Sequence, residues 1–240
     1  MILECDIGNT RSKWRLLEGG KIVGRGVLVD AGPGFSGIPT SPAIKRVRVA
    51  CVAGKERELS FQSWVSEKLG LSCEFARSKA ETAGMVNSYT QPEKMGVDRW
   101  LAALAAYHHY HSAVLVIDLG SALNAELIDG EGRHLGGYII PGAGLMKAAL
   151  LTGTGQVDVD DELLASMEPG RSTSEAVYFG ITVSLIGTIK QIIEQARLVL
   201  PADFNIVITG GGVEFVRPYL PEQIDWQPDL VMDGLQWLLP

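Results

Sequence analysis

The chain is poor in the features that mark several functional classes. It holds 3 cysteines in 240 residues. Cys5, Cys51 and Cys73 are odd in number and lack Cys-x-x-Cys spacing, and two of them lie in strand-like apolar stretches. That excludes a disulfide framework and a cysteine zinc site as organising elements, and it fits a reducing compartment. Basic residues are scattered and the net charge is −7, so there is no electrostatic footprint for nucleic acid. An anionic ligand must therefore be held locally, by backbone N–H groups, cations or a few placed Lys and Arg. No apolar run approaches the roughly 20 residues that cross a bilayer, and Glu4 and Asp6 follow Met1 without the basic and apolar regions of a leader. The expectation is a cytoplasmic protein that begins at Met1 and has no membrane or nucleic-acid partner. Histidine is scarce as well. His108, His109 and His111 stand at a helix end without a carboxylate at ligand spacing, and they read as solvated rather than as metal ligands.

What is present is organised around Asp6-Ile7-Gly8-Asn9-Thr10 and its echo Asp118-Leu119-Gly120-Ser121-Ala122. Each follows a short apolar run and precedes alternating residues, so each reads as strand, tight turn and returning strand. A third segment follows in both copies, Lys21 to Gly26 and Arg133 to Ile139. This repeat, about half a chain apart, predicts two similar domains, 1–112 and 113–240, with Asp-Gly turns facing a cleft. Length and apolar content allow each domain its own core.

Between the repeats, Ala31 to Pro42 reads as a Gly/Pro/Ser loop, Arg46 to Val52 as a strand, Glu56 to Leu69 as a helix closed by Gly70, and Leu71 to Ala76 as a further strand. This is an α/β pattern. Lys79 to Gln91 reads as an irregular connection that carries ligand contacts, and Val97 to Tyr110 as a helix opened by Asp98-Arg99. After the second repeat, Pro141-Gly142-Ala143-Gly144 launches a short helix. Asp158 to Glu162 is an acidic surface cluster without EF-hand spacing. Ser172 and Glu175 have capping-box spacing and open a long helix to about Leu198. Its stripe Gly180, Ser184 and Gly187 suits close helix approach, inside the domain or across a subunit interface. Phe204 to Thr209 is a buried strand running into Gly210-Gly211-Gly212 and a helix near Val213. Glu222 to Trp226 reads as a short strand, and Asp229 to Leu239 as a last amphipathic helix weakened by Gly234.

Glycine turns let phosphate groups approach backbone amides, and a magnesium-bridged nucleotide also requires carboxylates. Asp6 and Asp118 supply the carboxylates and Gly8 and Gly120 the open backbone. Asn9, Thr10, Ser12 and Ser121 offer polar contacts, and Lys13 a point charge. A single Asp-x-Gly turn is common in hairpins. Two in matching context, followed by a strand ending in a Gly triplet, form a nucleotide-binding pattern.

The motifs D-I-G-N-T-R-S-K at Asp6 to Lys13, G-V-D-R-W at Gly96 to Trp100, V-I-D-L-G-S-A at Val116 to Ala122, L-G-G-Y-I-I-P-G at Leu135 to Gly142, S-T-S-E-A-V at Ser172 to Val177 and T-G-G at Thr209 to Gly211 resemble the type III pantothenate kinase family. The resemblance implies an α/β fold of two duplicated ribonuclease-H-like, actin-like ATPase domains, each with a mixed five-stranded sheet. It implies ATP-dependent phosphorylation of pantothenate to 4'-phosphopantothenate, which opens coenzyme A biosynthesis. By that resemblance, Asp6, Ile7, Gly8, Asn9, Thr10, Arg11, Ser12 and Lys13 cradle the ATP phosphates and Mg²⁺. Ser121, Gly210 and Gly211 also contact the nucleotide, and Asp118 matches a monovalent-cation (K⁺ or NH₄⁺) aspartate. Asp98 matches the proton acceptor. Gly96, Val97, Asp98 and Arg99 line the pantothenate pocket with Tyr89 and Thr173, and Thr173 serves a neighbouring subunit in a homodimer.

The second turn departs from the family. Asn124 stands where threonine is usual, and Glu126 where aspartate is usual. Asp6, Asp98, Arg99 and Asp118 are intact, so the expectation is retained activity with altered nucleotide or cation preference. The alternatives are another phosphotransferase or phosphohydrolase of the superfamily, or a catalytically altered nucleotide- or pantothenate-binding regulatory protein.

Overall fold

The computed structural model describes residues 1–29, 34, 35, 37–155, 159, 165–221 and 223–240. The expected acidic cluster Asp158 to Glu162, apart from Val159, lies outside the described residues, as does part of the loop from Ala31 to Pro42.

The chain forms two compact units, Met1–Ala105 with Asp229–Pro240, and Ala106–Pro228. In the first, β1 (Ile2–Ile7), β2 (Arg11–Glu18) and β3 (Lys21–Val29) form an antiparallel meander, and β4 (Arg46–Cys51) and β5 (Cys73–Phe75) add in parallel beside β1, giving the order β3-β2-β1-β4-β5. The second unit repeats this with β8 (Val114–Leu119), β9 (Ala122–Ile128), β10 (His134–Pro141), β11 (Asn205–Thr209) and β12 (Asp225–Trp226) in the order β10-β9-β8-β11-β12. The duplicated α/β architecture with two mixed five-stranded sheets is thus present.

The period of two along the strands fixes which side chains meet the core. On β1, Leu3, Cys5 and Ile7 pack with Val47, Val49, Phe61 and Val65, the last two from α1 (Lys55–Leu69). Full burial of each such side chain stabilises by roughly 1.5–3 kcal/mol. Gly70 ends α1 at φ 65°, its N–H donating to the Ser66 carbonyl, as a left-handed cap requires. The same alternation turns Glu4 and Asp6 to the opposite face. In the second unit, Leu115, Ile117 and Leu119 pack with Leu123, Ala125 and the inner face of α4 (Thr173–Val199). By length and composition α4 could cross a membrane, but Ile181, Leu185, Ile189 and Ile192 are buried in this core.

Several details differ from the expected elements. The stretch from Lys79 to Gln91 contains a small hairpin, β6 (Glu81–Thr82) with β7 (Met85–Val86), turning through Ala83 at φ 47° and Gly84 at φ 83°. Two positive φ angles in succession define the turn whose twist suits a two-residue hairpin loop. The helix after the Gly triplet is one turn, α5 (Val213–Val216). The short strand begins at Asp225.

The last helix, α6 (Leu230–Leu238), belongs to the first unit, whereas a split at 112/113 leaves it with the second. Its apolar residues Leu230, Met232, Leu235 and Leu238 are buried, and α6 packs on β1 and β4. Arg15 bonds Asp233 at 2.5 Å, and Arg46 donates to the carbonyl oxygens of Leu239 and Pro240 at 3.2 and 2.8 Å. These bonds tie α6 to charged residues on the outer face of the first sheet.

Candidate functional site

Two clusters of the expected residues lie at the C-terminal ends of the parallel strands, one in each unit. In the first, Asp6 is the penultimate residue of β1. The next residue but one, Gly8, donates its N–H to the Arg11 carbonyl at 3.2 Å, and a Cβ on Gly8 would stand 2.9 Å from that same oxygen. The turn therefore stays open, with Asn9, Thr10 and Arg11 exposed and Ser12 buried on the returning strand. Lys13 lies directly across from Asp6 in the β1–β2 register. Burial, and after it the nearby Asp98 carboxylate, push Asp6 up to about 6, while Lys13 pulls the other way. The structure thus brings Asp6, Lys13 and Asp98 into one electrostatic neighbourhood, although the last is some 90 residues away in sequence.

Asp98 sits in the first turn of α2 (Val97–Tyr110), where the helix N-terminus favours negative charge. Its Oδ1 accepts the Arg99 N–H at 2.8 Å. A Cβ at Gly96 would stand 2.7 Å from the same oxygen, so the glycine before this helix is a shape requirement. Val97 and Arg99 are buried. The Arg99 guanidinium donates to the Tyr89 hydroxyl at 2.8 Å and lies 5.6 Å from its ring centre. Tyr89 is placed by Asn87, whose Oδ1 accepts the Tyr89 N–H at 2.9 Å. Asn87 in turn is held by its N–H to the Ala80 carbonyl and by its amide to Met95 Sδ. The Trp100 indole donates to Thr82 at 3.3 Å, tying the hairpin to α2. Tyr89, Gly96, Val97, Asp98 and Arg99 thus form one constellation. Sequence reading missed Asn87 as the residue that orients Tyr89; its signal is the Asn-x-Tyr spacing, which suits an Asx-type turn.

In the second unit Asp118 is the penultimate residue of β8, across from Asn124 on β9 and beside Thr209 on β11. Gly210 follows at φ 99°, and a Cβ there would meet the Leu119 carbonyl oxygen at 2.4 Å and Asp118 Oδ1 at 2.5 Å. Only glycine leaves the Asp118 carboxylate its place. Ser121 is exposed at the turn, with its carbonyl accepting the Gly142 N–H at 3.0 Å, and Gly211 is exposed after β11. Glu126 is buried and bonds His134 at 3.0 Å. A bulge between His134 and Gly136 sets that register, and a Cβ at Gly137 would stand 2.3 Å from the Glu126 carboxylate. The longer acid is thus accommodated by a missing side chain across the strand pair.

Thr173 opens α4, after Ser172, whose side chain accepts the Glu175 N–H as expected. The Glu175 carboxylate bonds the Arg171 N–H at 2.7 Å, one residue before the usual capping-box partner. Thr173 borders a groove of about 1090 Å³ between α4 and α3 (Ala143–Gly153), lined also by Met146, Leu150, Gly180 and Ser184. The small-residue stripe Gly180, Ser184 and Gly187 is exposed, as are Leu145 of α3, Ile139 of β10 and Val183 of α4.

Among the described residues, no group of three or more His, Cys, Asp or Glu side chains is clustered as a metal cage. A hydrated divalent ion bridged to phosphates asks for less, one or two carboxylates beside open backbone. Asp6, a carboxylate near the end of β1 beside the open Gly8 turn, fits that requirement.

A model of the family described as type III pantothenate kinase matches residues 2–195. Type III pantothenate kinase of Pseudomonas putida KT2440 is 37% identical, the match covering 100% of this chain and 99% of that one. The Pseudomonas aeruginosa PAO1 protein of the same name is 36% identical with the same coverage. Among solved structures, a ROK family glucokinase from Streptomyces griseus, in complex with glucose and AMPPNP, superposes with a TM-score of 0.52 at 12% identity, covering 98% of this chain and 97% of that one. Component A of Acidaminococcus fermentans (R)-2-hydroxyglutaryl-CoA dehydratase gives 0.53 at 16%, covering 99% and 95%. At such identities these structures speak to the fold.

Proposed function

The chain belongs to the type III pantothenate kinase family, and we propose that it works through the two clusters just described. The reaction is the ATP-dependent phosphorylation of pantothenate to 4'-phosphopantothenate. The observation that carries the assignment of roles is the joining of Asp98, Arg99, Gly96 and Tyr89 with Asp6 and Lys13 in the first unit.

Phosphoryl transfer asks little covalent chemistry of a protein. It needs an aligned alcohol, neutralised phosphate charge and a destination for the hydroxyl proton. Asp98 is the proton acceptor. Arg99, oriented by Tyr89, binds the pantothenate carboxylate in the planar fork that a lysine does not offer. The backbone from Ile7 to Arg11, with Ser12 and Lys13, holds the ATP phosphates, and Asp6 holds Mg²⁺, which supplies charge neutralisation when bound. Ser121, Gly210 and Gly211 contact the nucleotide in the second unit, and Asp118 holds K⁺ or NH₄⁺. The exposed apolar groove of α3 and α4 is of the kind that marks a protein contact. We assign it to a homodimer in which Thr173 serves the other copy's pantothenate pocket. We also assign the enzyme to the cytoplasm, a reducing compartment that suits its three free cysteines.

The test is ADP release with Mg-ATP in K⁺ or Na⁺ buffer, with and without pantothenate, on protein whose mass is measured by light scattering. Expected are pantothenate-dependent turnover that needs K⁺ or NH₄⁺, and a particle of twice 25.8 kDa. ADP release indifferent to pantothenate would overturn the assignment, and indifference to the monovalent ion would remove the role of Asp118. A monomeric active enzyme would remove that of Thr173. Within this scheme Arg99→Lys is expected to raise KM for pantothenate about 10- to 100-fold with a much smaller change in kcat, as loss of ground-state binding does. An unchanged KM would take Arg99 out of the pocket.

A further inference from the structure

The two carboxylates placed at the reaction in the first unit are carried by different elements, Asp6 by β1 and Asp98 by α2, and adjacent residues of α6 are linked to each element, one through Arg15 of β2 and Glu4 of β1, the other by direct contact with the α2 backbone. Asp233 accepts the Arg15 Nη1 bond at 2.5 Å. Arg15 Nε donates to Glu4 at 2.6 Å, and the second Glu4 oxygen accepts from Arg48 at 3.2 Å. Glu4 is fully buried and stands two residues before Asp6, on the same face of β1. Asp233 therefore pins α6 to the strands around Asp6.

Gly234, the next residue, lies against α2. A Cβ there would stand 2.2 Å from the Leu101 carbonyl oxygen, 2.6 Å from its carbonyl carbon and 2.7 Å from its Cα. All three are backbone atoms with no freedom to swing aside. Leu101 follows Asp98 by three residues, so the two are neighbours on the surface of α2. An interior glycine weakens a helix, and covering the sheet with apolar side chains does not need one at this position. The close approach to α2 does.

We infer that α6 is a positioning element for catalysis. Asp233 and Gly234 together set the separation of the Asp6 strand from the Asp98 helix, and hence of the carboxylate at the phosphates from the one that takes the proton. Neither residue touches substrate. The inference rests on the roles given to Asp6 and Asp98 above, and it assigns a task to a segment beyond the 2–195 stretch that the family model matches.

The deciding variant is Gly234→Ala. Its methyl group forces the two helices apart by on the order of 1 Å to reach ordinary contact, and a displacement of that size far from the chemistry costs up to about 100-fold. Expected is a 10- to 100-fold lower kcat at a temperature where circular dichroism shows the variant fully folded. In an Asp98→Asn background, the same change should cost less than about threefold, because the group it misplaces is already gone. Losses that multiply in the double variant would overturn the inference, since a purely structural role predicts them. If Gly234→Ala does not fold, Asp233→Asn decides. This isosteric change at a half-exposed side chain should lower kcat in the same non-multiplying way and be rescued in part by Asp233→Glu, and a wild-type kcat would overturn the proposal. A crystal structure of whichever variant folds should show residues 97–101 displaced from β1, and an unmoved α2 would sink the inference whatever the assays give. Failure of the wild type to use pantothenate overturns the function alone, because the crystallographic comparison still decides on α6.

Discussion

Asp98→Asn is expected to lower kcat by about 10²- to 10⁴-fold, the usual worth of a positioned general base, with KM for pantothenate held within about threefold. The substitution is chosen because it changes charge and almost nothing else. The retained Oδ1 still accepts the Arg99 N–H that now measures 2.8 Å. The amide fits the space left by the missing Cβ at Gly96, and Arg99 keeps its bond to Tyr89. Substrate recognition therefore survives while the proton loses its destination. Because the metaphosphate-like transition state develops late demand for proton removal, the loss should fall toward the lower part of that range. Steady-state kinetics on wild type and Asp98→Asn settle the point. A rate within a factor of two of wild type would mean that bulk water takes the proton and that Asp98 serves only to cap α2.

The meander and the Asp-Gly turns were legible because strand alternation and the repeat report directly on which face is buried. Leu3, Cys5 and Ile7 on one side and Glu4 and Asp6 on the other are visible in the order of letters. The hairpin at Glu81 to Val86 was not, because two-residue strands are too short to show a period. The allegiance of α6 was hidden for another reason. Amphipathy says that Leu230, Leu235 and Leu238 face a core but not which one, and the bond that decides it joins Arg15 to Asp233 across 218 residues. In the site, Asp98-Arg99 alone is an ordinary helix start, and its reading as chemistry came from family resemblance. The structure adds what resemblance does not carry: the nearness of Asp98 to Asp6, the shape need at Gly96 and Gly210, and the support of Tyr89 by Asn87. The departure at Glu126 also acquires a cause, since the longer side chain reaches His134 over the bare Gly137 backbone.

Replacing Asp6 by Asn should separate stability from activity in opposite directions. Turnover is expected to fall about 10³-fold, the scale of several kcal/mol of lost metal-assisted charge neutralisation, yet the metal-free variant should melt higher than wild type at pH 7. The sign follows from the shift. Burial and Asp98 raise Asp6 from 3.8 to about 6 in the folded chain, so the fold holds this proton more tightly than the unfolded chain does. The resulting stabilisation is complete below about pH 3.8 and is lost as pH rises through about 6. Above that, an ionised Asp6 beside Asp98 is a net cost, partly offset by Lys13, and removing it should return about 1–2 kcal/mol. For a chain of this size that is about 3–6 °C in Tm. Thermal melts in a chelator from pH 4 to 7.5 should show the wild type losing stability relative to the variant across pH 4–6.5. Added Mg²⁺ should then raise only the wild type, since an ion that binds the folded state alone stabilises by mass action. A variant melting at or below wild type at pH 7 in chelator would mean that the Lys13 pair outweighs the carboxylate repulsion. An equal Mg²⁺ response in both proteins would move the divalent site away from Asp6. The expected combination, a more stable and nearly inactive enzyme, is what a site that stores unfavourable charge for its ligand must give.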